Sequence, residues 1–146
     1  MLTGGGSYVD TVPEHEAFAE AVARELAPLL SDHGFRLVSD SDYLVRFESE
    51  TLGAEADFDP RGEVVVGVFR LGREAPWERW TYSGMVGRAS VSRLLEIACE
   101  RLTAEEAILR GEPSFFDRLA AEKRELAEEW TAYYSGKGPQ PTGKLP

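Results

Sequence analysis

Apolar residues recur at three- and four-residue spacing near the start of the chain, at Phe18, Val22, Leu26, Leu29 and Leu30, while Glu14, Glu20, Arg24 and Glu25 take the other faces. This pattern predicts an amphipathic helix with one buried stripe. Thr11 and Glu14 have the spacing of a capping box, and Pro13 fits a first helical turn, so the helix is expected to begin there. Pro28 removes a backbone donor inside the pattern and predicts a kink or restart, before Gly34 ends the helix in a left-handed cap.

From Phe35 the period changes to two. Phe35 and Leu37 alternate with Arg36 and Val38, and a clearer strand runs from Tyr43 to Glu50. Leu52-Gly53 is read as a tight hairpin turn, and Asp59-Pro60-Arg61-Gly62 as a type I turn with a glycine bulge leading into Val64–Phe69. Trp77–Tyr82 is aromatic enough to close an antiparallel meander of three to four strands.

Helical spacing returns at Val91, Leu94, Leu95, Ala98 and Leu102, with Ser90 or Ser92 as cap. Thr103 and Glu106 repeat the capping-box spacing, which predicts a break and a short helix ended by Gly111. Pro113-Ser114 then opens a last helix with a sparse stripe of Phe116, Leu119, Leu126, Trp130 and Tyr133. The expected class is α+β: an N-terminal helix, the meander, and C-terminal helices packed on the sheet. Residues 11–135 form one domain in this reading, with flexible ends at 1–10 and 136–146.

The 146 residues carry 26 Asp and Glu against 16 Lys and Arg, a formal charge of −10. Such a field repels phosphate backbones, so nucleic acid is not expected as a partner. There is no apolar run of membrane-spanning length and no secretory leader pattern, and Cys99 is the single cysteine. A cytoplasmic protein without disulfides or a membrane span is expected.

No cofactor or catalytic motif emerges. His15-Glu16 begins like a zinc-protease helix, but Ala19 stands where the second histidine is needed. His33 is read as a helix-end donor, and Cys99 as a small buried hydrophobe. Asp57–Gly62 departs from a calcium loop because Arg61 and Val68 occupy ligand positions. The chain is therefore read as non-enzymatic and without a metal site.

With a two-residue turn at Leu52-Gly53, Glu50 would face Glu55, Glu48 would face Asp57, and Phe47 would face Phe58. Like charges opposite one another cost up to about 1 kcal/mol per pair. Two readings of these carboxylates stand: a solvated edge that resists aggregation, or a docking surface for a basic protein partner or a weak cation site. Phe69, Arg70, Arg73, Trp77, Arg79, Trp80 and Tyr82 form an aromatic and arginine group suited to core or interface. Alternation puts Trp77 and Arg79 on one face and Trp80 and Tyr82 on the other. Candidate partner-binding residues are thus Glu48, Glu50, Glu55, Asp57, Trp77, Arg79 and Trp80. The alternative is a small-molecule or regulatory pocket between sheet and helices, lined by Phe47, Phe58, Trp80, Tyr82 and Trp130.

His33-Gly34-Phe35-Arg36-Leu37-Val38, Val45-Arg46-Phe47-Glu48-Ser49-Glu50 and Asp57-Phe58-Asp59-Pro60-Arg61-Gly62-Glu63-Val64 follow one another in that order. Over roughly residues 14–70 this resembles a diffuse group of small, uncharacterised bacterial α+β proteins. In that group a helix ending in "GF" precedes a strand with "FES" and a hairpin with an "RG" turn. Some members look like immunity proteins that neutralise toxin domains, so the resemblance implies a fold and, for function, an immunity-like inhibitor. The C-terminal half, with Trp130 and Tyr133-Tyr134, departs from the shorter members.

Overall fold

A computed structural model describes residues 18–143. The capping box at Thr11–Glu14, the histidine at 15 and the ends at 1–10 and 144–146 lie outside the described residues. The described part of helix α1 covers 18–32. Phe18, Val22, Leu26 and Leu30 are buried along it, as the spacing predicts. The irregularity expected at Pro28 takes the form of a π-turn at Val22–Leu26, where the Ala27 N–H donates to the Val22 carbonyl. The α-helix then resumes at Ala27–Asp32 with Pro28 in its first turn, where a missing N–H costs nothing. Gly34 closes it at φ +84°, with the Phe35 and Gly34 amides donating to the Leu30 and Ser31 carbonyls.

Five antiparallel strands follow in the spatial order of the sequence: β1 Arg36–Asp40, β2 Leu44–Glu48, β3 Leu52–Phe58, β4 Glu63–Arg70 and β5 Arg79–Met85. The count is five rather than three to four, because the short, exposed β1 pairs with β2. A 3₁₀ turn, Pro76–Glu78, precedes β5 and takes up Trp77. Helices α2 Val91–Ala104, α3 Glu106–Arg110 and α4 Pro113–Tyr134 complete the α+β fold. Ser90 caps α2 by accepting from the Arg93 amide. Thr103 continues α2 instead of capping α3; the break falls at Glu105, and Gly111 ends α3 at φ +66°.

The β2–β3 register differs from the one expected. Glu48 pairs with Gly53, Phe47 with Ala54, Arg46 with Glu55 and Leu44 with Asp57. The turn lies at 49–51, closed by the Ser49 amide donating to the Leu52 carbonyl (2.8 Å) and the Leu52 amide donating to Ser49 Oγ (3.0 Å). Leu52 is fully buried and packs toward Gly111, so it cannot occupy a solvated turn tip. Glu48's partner moves from Asp57 to Gly53, four positions. An even shift leaves every side chain on its expected face but removes the facing pairs Glu48/Asp57, Glu50/Glu55 and Phe47/Phe58.

Core-facing positions are Val45, Phe47, Ala54, Ala56, Phe58, Val64, Val66 and Val68, covered by α1, α2, α3 and the first turns of α4. Phe18 stacks on Phe58 with ring centroids 5.3 Å apart. The opposite face of the sheet carries charged and polar side chains together with Leu44, Val65, Phe69 and Met85.

Candidate functional site

Three rows of side chains cross the open face, each set by the pairing of β2 through β5. One runs Leu44, Asp57, Val65, Ser83; the next Arg46, Glu55, Gly67, Thr81; the third Glu48, Gly53, Phe69, Arg79. Phe69 is fully buried although it lies on this face. Its cover is cationic: the Arg46 and Arg79 guanidinium carbons lie 5.1 and 4.3 Å from its ring centroid. Glycine at 53 admits the ring, since a Cβ there would stand 2.4 Å from it. Glycine at 67 leaves room for Arg79 to reach across to Glu55.

Four carboxylates or carbonyls bind these two arginines. Arg46 donates from Nε to Glu48 (3.0 Å), from Nη1 to Glu55 (2.9 Å) and to Glu74 through both Nη atoms (3.1 and 3.3 Å). Arg79 donates from Nη1 to the other oxygen of Glu55 (3.0 Å) and from Nε to the Glu74 carbonyl (3.1 Å). The hydrogen bond to Glu74, followed by those to Glu48 and Glu55, holds the Arg46 guanidinium firmly charged against its partial burial. The same contact pulls the Glu74 carboxyl below its ordinary range. What spacing suggests as a column of unneutralised acids is a packed, charge-balanced plate over an aromatic ring.

Asp57 is the exception. Among the described residues no guanidinium or ammonium forms an ion pair with it, and Arg79 acts on it only at longer range. Partial burial, and then repulsion from Glu55, Asp59 and Glu63, pushes its carboxyl above the ordinary aspartate value. Asp59 is held low by its hydrogen bonds from the Arg61 side chain and amide. Exposed Leu44 and half-buried Val65 flank Asp57, leaving one uncompensated negative charge between apolar side chains.

The remaining candidates are dispersed. Glu50 lies in the β2–β3 turn, beside His33 and Arg110. Trp80 points to the core side, opposite Val68, and is half-buried. Trp77 sits in the 3₁₀ turn, 38% exposed, where it borders a groove of about 370 Å³ with Arg124, Ala127, Glu128 and Thr131 of α4. The expected separation of Arg79 from Trp80 and Tyr82 by face holds; Trp77 is outside the strand alternation.

Spacing points to Arg46 as relieving part of the acidic column but not as its hub, and it does not reveal Glu74 or Glu78. Arg46, two positions from Glu48 on the same face and paired with Glu55, is the hub of the plate. Glu74 arrives from the β4–β5 connection. Glu78, 7% exposed, is gripped by Arg70 (3.1 Å) and Arg73 (3.3 Å), while Arg70 also bonds Asp117 (2.7 Å) and ties the turn to α4. Lys123 of α4 donates to the Arg79 carbonyl at 2.6 Å, and burial lowers its pKa.

As for a pocket between sheet and helices, Phe47 and Phe58 are core residues, and Trp130 packs on Tyr133 and Tyr134 while donating to the Gly143 carbonyl (2.6 Å). A cavity of about 560 Å³ lies elsewhere, between α1 and the β5–α2 connection, with Arg24, Arg88, Ser90 and Ser92 at its wall. Among the described residues no group of three or more His, Cys, Asp and Glu side chains is placed to hold a metal ion. His33 Nδ1 lies 3.0 Å from the Leu29 carbonyl, at the helix end. No described helix is long and apolar enough to cross a membrane. Compared with protein-family models, curated proteins and solved structures, the chain has no match.

Proposed function

We propose that this chain is a non-enzymatic protein-binding domain of the cytoplasm that receives a basic partner on the open face of its sheet. The observation that carries the reading is Asp57. Glu48, Glu55 and Glu74 are each engaged by arginine, so they add rigidity rather than attraction. Asp57 is exposed, keeps a charge that no described cation pairs with, and is bordered by Leu44 and Val65. A lysine or arginine of a partner supplies the missing counter-charge, and the apolar neighbours supply the surrounding seal. The charge of −10 raises the encounter rate with a basic protein. The resemblance of residues 14–70 to immunity-like domains supports an inhibitor of a basic toxin domain as the form this binding takes, and a single, half-buried thiol suits a reducing compartment.

The test is a ¹⁵N-labelled titration with an oligolysine peptide and, in parallel, with an oligoglutamate peptide. Oligolysine is expected to shift the amides of Leu44, Asp57, Val65 and Ser83, with binding that weakens as salt is added. Asp57→Lys is expected to reduce the affinity about tenfold while the far-UV spectrum stays native. Shifts scattered evenly over the acidic surface, or an Asp57→Lys protein that binds as well as the parent, would refute the assignment.

A further inference from the structure

Beyond its last turn the chain folds back on α4. The Gly136 amide donates to the Tyr133 carbonyl (3.0 Å) and the Lys137 amide to the Ala132 carbonyl (2.8 Å), with Gly136 at φ +74°. The tail then returns over the helix: a Cβ at Gly138 would stand 3.7 Å from that of Ala132, and one at Gly143 would stand 2.9 Å from Leu126 Cδ2. The Trp130 indole N–H donates to the Gly143 carbonyl at 2.6 Å. Among the described residues, the core takes Phe115, Phe116 and Leu119 from α4 and none from its later turns. Leu126 and Trp130, both half-buried, lie past that core and meet the tail instead. Tyr133 and Tyr134 flank the indole, with ring centroids 5.7 and 5.4 Å away.

The contacts in this seat read backbone and shape. The indole N–H takes a main-chain carbonyl, and the absence of a side chain at Gly143 lets the tail approach Leu126. Between Gly138 and Gly143 the tail reads Pro139-Gln140-Pro141-Thr142. Each proline fixes its own φ and pushes the residue before it, Gly138 or Gln140, toward extended backbone. An extended, proline-bearing strand laid on an aromatic side chain is the way polyproline segments are recognised. Charge acts in the same direction. Residues 136–146 carry Lys137 and Lys144 and no acid, while Glu122 and Glu129 lie one turn to either side of Leu126 on the helix.

We infer that Leu126 and Trp130 form a docking seat for an extended, proline-bearing, lysine-flanked segment of a partner protein, and that the chain's own tail is the occupant that keeps it shut. None of these contacts depends on the covalent link between tail and helix, so a free segment of the same chemistry makes them too. What favours the tail is tethering, which holds it at an effective concentration on the order of millimolar. An incoming segment therefore binds with its affinity reduced by the fraction of molecules in which the seat is open. The seat lies on α4, away from the Asp57 row on the open face of the sheet, so the inference stands independently of the reading of that row.

The probe is a synthetic peptide of residues 136–146, added to the full chain and followed by the ¹⁵N signal of the Trp130 indole, which Trp130→Phe assigns. In the parent the indole N–H is expected to be protected from hydrogen exchange, and the peptide to bind weakly. Gly143 has no positive φ, so a side chain there is opposed by Leu126 and not by the backbone. Gly143→Glu adds bulk against Leu126 and a carboxylate near Glu122 and Glu129. It is expected to release the tail, to remove the protection, and to raise the affinity for the peptide about tenfold. Adding Trp130→Phe to Gly143→Glu is expected to abolish that gain. A peptide carrying Pro139→Ala and Pro141→Ala is expected to bind the Gly143→Glu protein several-fold more weakly than the native peptide. If Gly143→Glu loses the native far-UV spectrum, Gly143→Val, which adds bulk without charge, carries the same expectations. A released protein that binds the peptide no better than the parent, a gain that survives Trp130→Phe, or an alanine peptide that binds as well as the native one each overturn the inference.

Discussion

Gly53→Ala tests the packing of the plate with the smallest possible perturbation. Gly53 lies against the ring of Phe69, and an added methyl would stand 2.4 Å from Cε2 and 2.6 Å from Cζ. Non-bonded carbons settle at about 3.5–4.0 Å, so the ring must move by about an ångström. It has nowhere to go: Phe69 is fully buried, with Arg46 and Arg79 stacked on it and both arginines fixed by Glu55 and Glu74. Overpacking of this kind costs about 1–3 kcal/mol, and disturbing two cation–π contacts adds about 0.5–2 kcal/mol. Gly53 does not adopt a positive φ, so the entropy lost from the unfolded chain returns about 0.4–1 kcal/mol in alanine's favour. The net expectation is a destabilisation of about 1–3 kcal/mol, read as a lower urea midpoint at unchanged slope, or as a fall in Tm of about 2–4 °C for each kcal/mol. In a Phe69→Leu background, which removes the clashing ring atoms, the same substitution is expected to be neutral or slightly stabilising. A Gly53→Ala protein as stable as the parent, or an equal cost in both backgrounds, would refute the register and the packing together.

Two further outcomes follow from the charges. Glu48→Gln is expected to be neutral or destabilising, because Glu48 holds Arg46. Asp57→Asn is expected to stabilise slightly at neutral pH, because its carboxylate is in part desolvated and is repelled by Glu55, Asp59 and Glu63, an effect that solvent screens at this exposed position. The native Asp57 binds its proton more tightly than the unfolded one, so its burden on stability grows as pH rises from the ordinary aspartate range through the raised native value. The gain from Asp57→Asn should vanish below that window, and urea titrations of both proteins across acidic and neutral pH read it directly. Cys99 is half-buried, its Sγ donates to the Glu25 carbonyl at 3.1 Å, and burial pushes its pKa up to about 11. Iodoacetamide at neutral pH is therefore expected to label the folded protein far more slowly than the urea-unfolded one, and equal rates would contradict the placement of the thiol.

Much of the fold was legible because the signals are local. The stripe from Phe18 to Leu30, the caps at Gly34, Ser90 and Gly111, and the alternation of β2 depend on residues within one or two turns of each other. The candidate site was legible only in part. Alternation put Glu48, Glu55 and Asp57 on one face, and they share it. Glu74 and Arg79 join them from the far side of a connection whose path no periodicity encodes, and Trp77 left the strand for a 3₁₀ turn opened by Pro76.

Which face each strand residue occupies was determined by the sequence alone, because side chains alternate with period two and any even slip in register preserves the pattern. Which residue stands opposite which was decided by the tertiary structure. The turn settled at 49–51 because Leu52 is buried toward Gly111 and because Gly53 is the residue small enough to lie under Phe69. Those constraints come from α3 and β4, distant in sequence. They turn an apparent column of mutually repelling carboxylates into a neutralised plate, with Asp57 left unpaired beside it.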